Sequence, residues 1–267
     1  MGKMNLYSIA SGSSGNCIYI GNEDTSLLVD AGISGKRVIE GLAAMDINPE
    51  KLKGLLITHE HSDHVKGVGV LARKYKVPIY GTAETINAML HTSTVGRIPE
   101  NLLHIVEPDV DFTIDDIVVN PFSISHDASN PVAYTFIHGN TKIGVATDMG
   151  TYNDYIVEKL TGCNALLIEA NHDVHMLQVG GYPYVLKKRI LGDLGHLSNE
   201  NSGRLLCQIY HDGLKDIILG HLSKENNYPD LAYETVKYEL EQFKADILDC
   251  CSLTVAKREE PSSFIAV

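Results

Sequence analysis

The stretch Thr58-His59-Glu60-His61-Ser62-Asp63-His64 follows the apolar run Gly54-Leu55-Leu56-Ile57 and brings three imidazoles and a carboxylate together within a few residues. Imidazole nitrogens and carboxylate oxygens are the ligands that Zn²⁺, Mn²⁺ and Fe²⁺ prefer. In a turn, His59 and His61 can converge on one ion. Asp63 and His64 begin a predicted helix, point elsewhere and can serve a second ion. Solvated loop residues are the alternative, but few structural roles need such a density of imidazoles.

The segments around this stretch predict two clusters of strands, each interleaved with helices. An apolar strand precedes the histidines, and a helix over about 61–76 follows them. This pattern predicts two sheets packed face to face with helices outside, a four-layer α/β/β/α sandwich, although periodicity alone equally allows a three-layer α/β fold. Neither a linker nor a repeat interrupts the chain, so a single domain over 1–267 is expected.

Composition limits the classes of function. The chain has 22 Lys+Arg against 34 Asp+Glu and a formal charge of −12, which argues against nucleic-acid binding driven by net charge but allows a local site for a polyanion. No run reaches the roughly 18 apolar residues of a membrane span. Five cysteines without a CxxC pair argue against a disulfide framework and a thiolate zinc site. With no apolar core of signal-peptide length at the start, we expect a cytoplasmic protein.

HEHSDH after a strand resembles the second motif of the metallo-β-lactamase fold superfamily, and the other four motif positions occur in order. Asp30 in Val29-Asp30-Ala31-Gly32 matches the first motif, and His126 in Ser125-His126-Asp127 matches the third. Asp148 in Thr147-Asp148-Met149 matches the fourth, and His221 after the run 217–220 matches the fifth. Each match alone is weak, but their order and their positions at strand ends together imply the αββα sandwich of this superfamily.

These positions suggest two ligand sets. Because a carboxylate has two oxygens, Asp148 is expected to bridge two ions that hold a water between them as hydroxide, ready for in-line attack on an ester. Asp30 is expected to accept the second N–H of a ligand imidazole and so fix its tautomer. One ion would be bound by His59, His61, His126 and Asp148, and the other by Asp63, His64, His221 and Asp148.

The tripeptide His-Leu-Ser occurs twice, so His196 competes with His221 as the last ligand. We prefer His221 because an apolar strand runs straight into it. His196 follows the charged run Lys187-Lys188-Arg189 and begins another helix, for which Ser198 or Asn199 is a plausible N-cap. His196 is therefore expected to belong to the cap or to contact the phosphate or leaving group of a substrate. Either His196 or His172 is a candidate general acid.

Four further segments, SGSSGN (11–16), EANHD (169–173), GHLSNENSG (195–203) and HLSKENN (221–227), resemble the YycJ/WalJ group of the superfamily. Members of this group are regarded as 5′-to-3′ DNA exonucleases related to RNase J and tRNase Z. The resemblance implies hydrolysis of a phosphodiester in DNA, with RNA as a further possibility. Backbone N–H groups of the first segment are expected to form an anion-binding nest beside the metals. The expected substrate contacts are Ser13, Ser14, Asn16, Asn171, Ser198, Asn199, Ser223, Lys224 and Asn226.

Two other functions stay open at this point. The same metal centre supports hydrolysis of a small lactone, thioester or cyclic phosphodiester, because one fold hosts several chemistries. A non-catalytic metal-dependent scaffold is less consistent with five motif positions that all carry competent ligands. For a DNA substrate, the cations Lys187, Lys188, Arg189, Arg204 and Lys224 are candidates for a basic lip, although a solvated helix face is the preferred explanation of 187–189. The identity of the metal and the oligomeric state are left open.

Overall fold

The computed structural model describes residues 3–262 and 264–267 and contains two mixed sheets of seven strands each. The first sheet has the order β14-β1-β2-β3-β4-β5-β6, and the second has the order β13-β12-β11-β10-β9-β8-β7. The strands are β1 (Asn5–Ala10), β2 (Cys17–Gly21), β3 (Ser26–Val29), β4 (Leu52–Leu56), β5 (Ile79–Gly81), β6 (Leu103–Ile105), β7 (Phe112–Ile114), β8 (Ile117–Ser123), β9 (Val132–His138), β10 (Thr141–Ala146), β11 (Ala165–Glu169), β12 (Asp216–Gly220), β13 (Ser252–Val255) and β14 (Ile265–Ala266).

Helices cover the outer face of each sheet. They are α1 (Gly35–Ala43), α2 (Ser62–Val65), α3 (Val68–Tyr75), α4 (Ala83–Leu90), α5 (Asp154–Leu160), α6 (Val174–Val179), α7 (Tyr184–Ile190), α8 (Asn199–Ile209), α9 (Pro229–Phe243) and α10 (Ile247–Cys250). Within the described ranges, no helix is both long and apolar enough to cross a membrane.

Strand β3 shows why the layers form. Leu27 and Val29 face inward, where they join a buried cluster with Tyr134 and Phe136 of the second sheet. Leu28, between them, points outward into a separate cluster beneath the helices. A strand that is apolar on both faces must be covered on both faces, so the two sheets pack together and the helices take the outside. The predicted α/β/β/α sandwich is confirmed.

The helix predicted over 61–76 is instead two helices, α2 and α3, separated at Lys66-Gly67. The amide of Gly67 donates a hydrogen bond of 2.6 Å to Ala31 O, and a Cβ atom at this position would lie 2.5 Å from Ile33 O. The close approach of the 31–33 loop therefore requires a glycine here, and it interrupts the helix. The same approach brings the loop after β3 against the histidine-rich turn.

Candidate metal centre

The residues of the motifs meet at one edge of the sandwich because they follow strands whose carboxyl ends lie there. Strand β3 runs parallel to β4, and β10 and β12 both run parallel to β11. Asp30 follows β3, the histidine-rich turn follows β4, Asp148 comes two residues after β10 and His221 follows β12. The crevice at the carboxyl ends of parallel strands is the usual place for a site in such sheets.

Three of these residues adopt the left-handed backbone conformation. The φ angles are 58° for Asp30, 62° for Asp148 and 55° for His221. Such a conformation costs on the order of 1–3 kcal/mol for a residue other than glycine and is maintained only when surrounding contacts determine it. In each case the chain turns sharply at the end of a strand. We infer that stability is sacrificed at these positions to orient the site.

Three imidazoles form the first group of the site. His59 Nε2 lies 3.1 Å from His61 Nδ1, and His126 Nε2 lies 3.3 Å from the same atom. His126 Nδ1 donates to Gly195 O at 3.0 Å, which leaves the lone pair on Nε2 free to bind a cation. Three ring nitrogens directed at one point fit a shared divalent ion, since neutral imidazoles have no other reason to converge so closely.

Asp63, His64 and His221 form the second group. Asp63 Oδ2 lies 3.6 Å from His64 Nε2 and 3.9 Å from His221 Nε2. On its other side, His64 Nδ1 donates to Asp30 Oδ2 at 2.7 Å. Burial lowers the pKa of His64, but nearby carboxylates, Asp148 first, raise it to about 10. A proton therefore competes with a cation at His64, and metal binding should release protons.

The side chain of Asp30 is itself fixed by Thr58. The Thr58 amide donates to Oδ1 at 2.9 Å and its hydroxyl donates to Oδ2 at 2.8 Å. Asp30 is 2% exposed, so these bonds and His64 provide the partners that a buried carboxylate needs. The expected role of Asp30, orientation of a ligand imidazole, agrees with this geometry.

Asp148 lies between the two groups. Its Oδ2 is 3.2 Å from His221 Nδ1 and 3.3 Å from His64 Nε2, and its Oδ1 is 3.8 Å from His126 Nε2. Burial raises the pKa of Asp148, but the neighbouring histidines, His221 first, hold it well below its usual range. The carboxylate is therefore an anion, and Oδ2 is buried without a hydrogen bond of good geometry. Such an oxygen fits a cation.

The donor set as a whole fits two divalent ions. It consists of nitrogen and oxygen atoms without thiolate sulfur, and its ligand atoms lie within 4.8 Å of one another in each group. Zn²⁺, Mn²⁺ and Fe²⁺ all accept such ligands, so the identity of the metal stays a prediction. The residues brought together are His59, His61, His126, Asp148, Asp63, His64 and His221.

Glu169 is a site residue that the sequence reasoning placed in the segment 169–173 without giving it a role. It ends β11, is fully buried, and its Oε1 accepts a hydrogen bond of 2.7 Å from His196 Nδ1. Its Oε2 accepts from the amides of Met149 and Leu197 at 2.8 and 3.1 Å. A charged residue at the end of the apolar run Ala165–Ile168 was the signal that could have revealed it. Glu169 orients His196 beside the centre.

The two competing histidines thus occupy different places. His221 belongs to the group with Asp63 and His64, and both histidines also lie in one group with Asp148 and Glu169. Nδ1 of His196 is 2.7 Å from Glu169 Oε1 and 3.6 Å from Asp148 Oδ1, so Glu169 is its nearer partner. Burial lowers the pKa of His196, but Glu169 and the site carboxylates raise it to about 9. The His196 ring lies 5.1 Å from the His126 ring and is 20% exposed in its side chain. It borders the cleft without sharing the Asp63 group.

The environment of His172 does not suit the proton donor suggested by the sequence. Its side chain is 1% exposed, and neither ring nitrogen has a hydrogen-bond partner in the described part of the chain. Burial lowers its pKa to about 4. His172 is therefore neutral at pH 7 and is shielded from the cleft, which removes it from the candidates for the general acid.

Asn16 contacts the histidines and does not face solvent. Its Nδ2 lies 3.2 Å from His64 Nε2 and 3.1 Å from His221 Nδ1, while its Oδ1 accepts from the Gly12 amide at 3.0 Å. Asn171 also supports the centre, because its Nδ2 donates to His221 O at 2.9 Å. Both side chains are nearly fully buried. They position ligands, which differs from the substrate contact expected for them.

A buried network of polar side chains accounts for most of the other expected contacts. Asn199 and Asn227 pair through their side-chain amides at 2.8 and 3.1 Å. Ser198 caps α8 by accepting from the Asn201 amide at 3.2 Å. The Asn226 amide donates to Ser223 Oγ at 3.2 Å. Ser198 and Asn199 are therefore engaged within the protein, and the Asn226 side chain is 1% exposed, so burial and not a hydrogen bond keeps it from the substrate contact expected for it.

The loop 11–16 does not form the expected nest of free amides. Five of its amides donate within the protein, which leaves only the Ser14 amide without a partner among the described residues. The acceptors are Lys257 O for Ser11, Asn16 Oδ1 for Gly12, Leu222 O for Ser13, Gly12 O for Gly15 and Asp63 O for Asn16. Ser13 and Ser14 are exposed, and their hydroxyls accept from Arg258 Nη1 at 3.3 and 3.5 Å. The group at this loop that can attract an anion is therefore the Arg258 guanidinium and not a nest of backbone amides.

The comparison with known proteins agrees with this architecture. A family model described as the metallo-beta-lactamase superfamily matches residues 10–221. The chain belongs to the metallo-β-lactamase superfamily. Its relatives within the superfamily include exodeoxyribonuclease YycJ of Bacillus anthracis, which is 43% identical over 234 residues and 88% of each chain. Exodeoxyribonuclease WalJ of Streptococcus pneumoniae is 45% identical over 237 residues, again 88% of each chain. The resemblance to the YycJ/WalJ group is confirmed.

Solved structures of the metallo-β-lactamase superfamily share the fold at low identity. YhfI of Bacillus subtilis superimposes with a TM-score of 0.72 at 19% identity and covers all of both chains. Human tRNase Z, short form, gives a TM-score of 0.65 at 16% identity over 97% of this chain and 98% of the other. At such identities the likeness shows the metallo-β-lactamase fold alone.

Proposed function

We propose that this protein is a two-metal phosphodiester hydrolase that degrades DNA from the 5′ end. The observation that carries the proposal is the bridging position of Asp148 between two ligand groups, in a chain 43–45% identical to proteins named exodeoxyribonuclease. Divalent ions held by these residues would polarise the phosphate ester and lower the pKa of water in the cleft. The cytoplasmic location expected from the sequence stays a prediction.

The residues of the chain have separate tasks in this proposal. His59, His61, His126 and Asp148 would hold one ion, and Asp63, His64, His221 and Asp148 would hold the other. Asp30 and the Gly195 carbonyl fix the tautomers of His64 and His126. The ligand atoms are therefore oriented before substrate binds, which reduces the reorganisation needed during reaction.

His196 is the proposed proton donor to the leaving oxygen. Water adds to phosphorus and releases one proton to solvent, the bond from phosphorus to the 3′-oxygen of the terminal nucleotide breaks, and that oxygen takes a proton from His196, which is then reprotonated from solvent. Glu169 holds the Nδ1 side of the ring, so Nε2 is the atom available for transfer. A cavity of about 150 Å³ opens beside His196 and is lined also by Ser13, Asn171, Tyr182 and Ser223. Ser13 and Ser223 remain proposed substrate contacts there.

The proposal is tested by incubating the protein with Mn²⁺ or Zn²⁺ and DNA labelled at either end. Early release of labelled mononucleotide from the 5′-labelled DNA supports the proposal, provided that this release is lost in an Asp63→Ala variant. Absence of DNA cleavage with any metal, together with rapid turnover of lactone or thioester substrates, contradicts it.

A second substrate tests whether His196 acts as the proton donor. Thymidine 5′-(p-nitrophenyl phosphate) has a leaving group that needs no proton. The His196→Ala variant should lose roughly 10²–10⁴-fold of its rate on DNA, the range of general acid catalysis, and much less on the nitrophenyl ester. Equal losses on the two substrates would show that His196 is not the proton donor.

A further inference from the structure

A second cavity of about 530 Å³ lies next to the metal centre, at the carboxyl ends of β12 and β13. We call it the C-terminal groove and define it by Ser223, Lys224, Tyr228, Lys257 and Arg258, which line it. Three cationic side chains, those of Lys224, Lys257 and Arg258, line this groove although the chain has a formal charge of −12. Lys257 and Arg258 lie beyond residues 10–221, which match the superfamily model.

The topology explains why residues so distant in sequence meet. Strands β12 and β13 are parallel neighbours, with Leu219 opposite Val255. Parallel strands present their carboxyl ends at the same edge, so the turn after β12 and the segment after β13 leave the sheet side by side. Lys224 and Arg258 therefore face a common cavity.

Arg258 is fixed in place by uncharged oxygens. Its Nη2 donates to Leu222 O at 2.7 Å, and its Nη1 donates to the hydroxyls of Ser13 and Ser14. Burial lowers its pKa, and Glu225 and Glu259 act in the opposite direction from a distance. A guanidinium that is partly removed from water and bonded to neutral acceptors retains most of its attraction for an anion.

The other walls also favour a nucleic-acid strand. Helix α9 begins at Pro229 beside the groove without a side-chain cap, and Asp230 in its first turn offsets part of the positive charge at its N-terminus. Tyr228 is 51% exposed and presents a ring on which a base can stack. Lys224 and Lys257 are exposed, with Lys257 paired to Glu260 at 3.1 Å.

The groove is continuous with the metal centre. Ser223 lines both the C-terminal groove and the cavity beside His196. Leu222, which accepts from Arg258, directly follows the ligand His221. A strand whose terminal phosphodiester lies in the cleft beside His196 would therefore reach the groove next to Ser223.

We propose that the C-terminal groove binds backbone phosphates of the DNA strand whose end lies in the metal centre. This inference rests on the proposed nuclease function. Of the basic lip expected from the sequence, Lys224 lines the groove and Arg189, paired with Asp127, lines the cavity beside His196. Arg204 pairs with Glu239 at 3.6 Å.

The test compares two double variants of equal charge. Lys224→Ala/Lys257→Ala removes two cations from the groove, and Lys51→Ala/Lys74→Ala removes two exposed lysines from outside the first sheet. Binding of a fluorescent single strand with phosphorothioate linkages is measured by anisotropy over a range of salt concentrations. The groove variant should reduce the slope of log K against log salt by about 0.7 per lost contact, about 1.4 in total.

An unchanged slope in the groove variant overturns the inference, as does an equal change in both double variants, since that would reflect net charge alone. Arg258→Gln provides a second measurement, because glutamine keeps an N–H donor for Leu222 O while it removes the charge. Its slope should fall by about 0.7. If the wild-type protein neither binds nor degrades DNA, the proposed function itself is wrong. If the wild-type protein degrades DNA but the groove variant keeps the wild-type slope, only the proposed role of the groove is wrong.

Discussion

Glu169 and His196 form a hydrogen-bonded pair at the edge of the metal centre, with 2.7 Å between Oε1 and Nδ1. The second oxygen of Glu169 is fixed by two backbone amides, so the carboxylate cannot rotate away and the ring orientation of His196 is determined. In this arrangement Glu169 is a positioning residue that acts only through His196.

Replacement of Glu169 by glutamine should therefore lower kcat on DNA by about 10–100-fold, the usual effect of losing a group that orients an active-site imidazole, and leave KM nearly unchanged. The informative measurement is the double variant Glu169→Gln/His196→Ala. Because the two residues act as one unit, its kcat should equal that of His196→Ala alone. Multiplicative losses in the double variant would mean that Glu169 acts independently of His196.

Metal content distinguishes the two His-Leu-Ser histidines. His221→Ala removes a nitrogen from the group with Asp63 and His64, so the purified protein should contain about one metal equivalent fewer than wild type. His196→Ala should retain the wild-type content, because its ring is held by Glu169. Elemental analysis after identical purification checks both. Loss of a metal equivalent in His196→Ala alone would show that the two assignments are exchanged.

The Asp30→Asn substitution tests how the tautomer of His64 affects metal binding. Asparagine tolerates the left-handed φ of 58° at this position, so the change mainly removes charge and an acceptor for His64 Nδ1. Metal affinity should fall by about 10–100-fold, measured by competition with a chelating dye. Glu23→Gln, at an exposed position, is the control. Wild-type affinity in Asp30→Asn would contradict the role assigned to Asp30.

Gly32 is the contact point between the first and second motifs. A Cβ atom there would lie 1.6 Å from Asp63 O, and the Gly32 amide donates to Asn16 O at 2.7 Å. Gly32→Ala should therefore lower the free energy of unfolding by about 1–3 kcal/mol or more, as overpacking of a close contact does. Denaturant titration measures the change.

The matched control for this substitution is Gly181→Ala, because an added Cβ would meet nothing within 4 Å there. Its stability should stay within about 0.5 kcal/mol of wild type. A Gly32→Ala protein as stable as Gly181→Ala would show that the loop after β3 can move away from Asp63 without cost.

The local pattern was enough to predict the ligand candidates. A ligand at the end of an apolar strand is visible in sequence, because the strand, its end and the polar residue are neighbours along the chain. The cluster 59–64 was found in this way, whereas Asp30, Asp148 and His221 were matched through the resemblance to the metallo-β-lactamase motifs, and the structure brings them together. Periodicity alone equally allowed a three-layer fold, and the resemblance decided for the sandwich.

Residues whose role depends on a partner from another strand could not be found in this way. Asn199 looked like a substrate contact, but its amide pairs with Asn227 in a buried network. His172 looked like a proton donor until its burial was known. In both cases the sequence showed a polar residue near a motif and could not show whether it faced the cleft or the interior.

The sequence by itself indicated the candidate metal ligands and, through its resemblance to a known superfamily, the fold that presents them, because the residues of each motif are neighbours along the chain. Only the tertiary structure decided that Glu169 orients His196 and that Arg258 stands beside Ser13. Those relationships arise from the packing of segments that follow different strands: Glu169 ends β11 and His196 precedes α8, whereas Arg258 follows β13 and Ser13 lies between β1 and β2. Side-chain direction and burial are properties of that packing, and no local pattern of residues contains them.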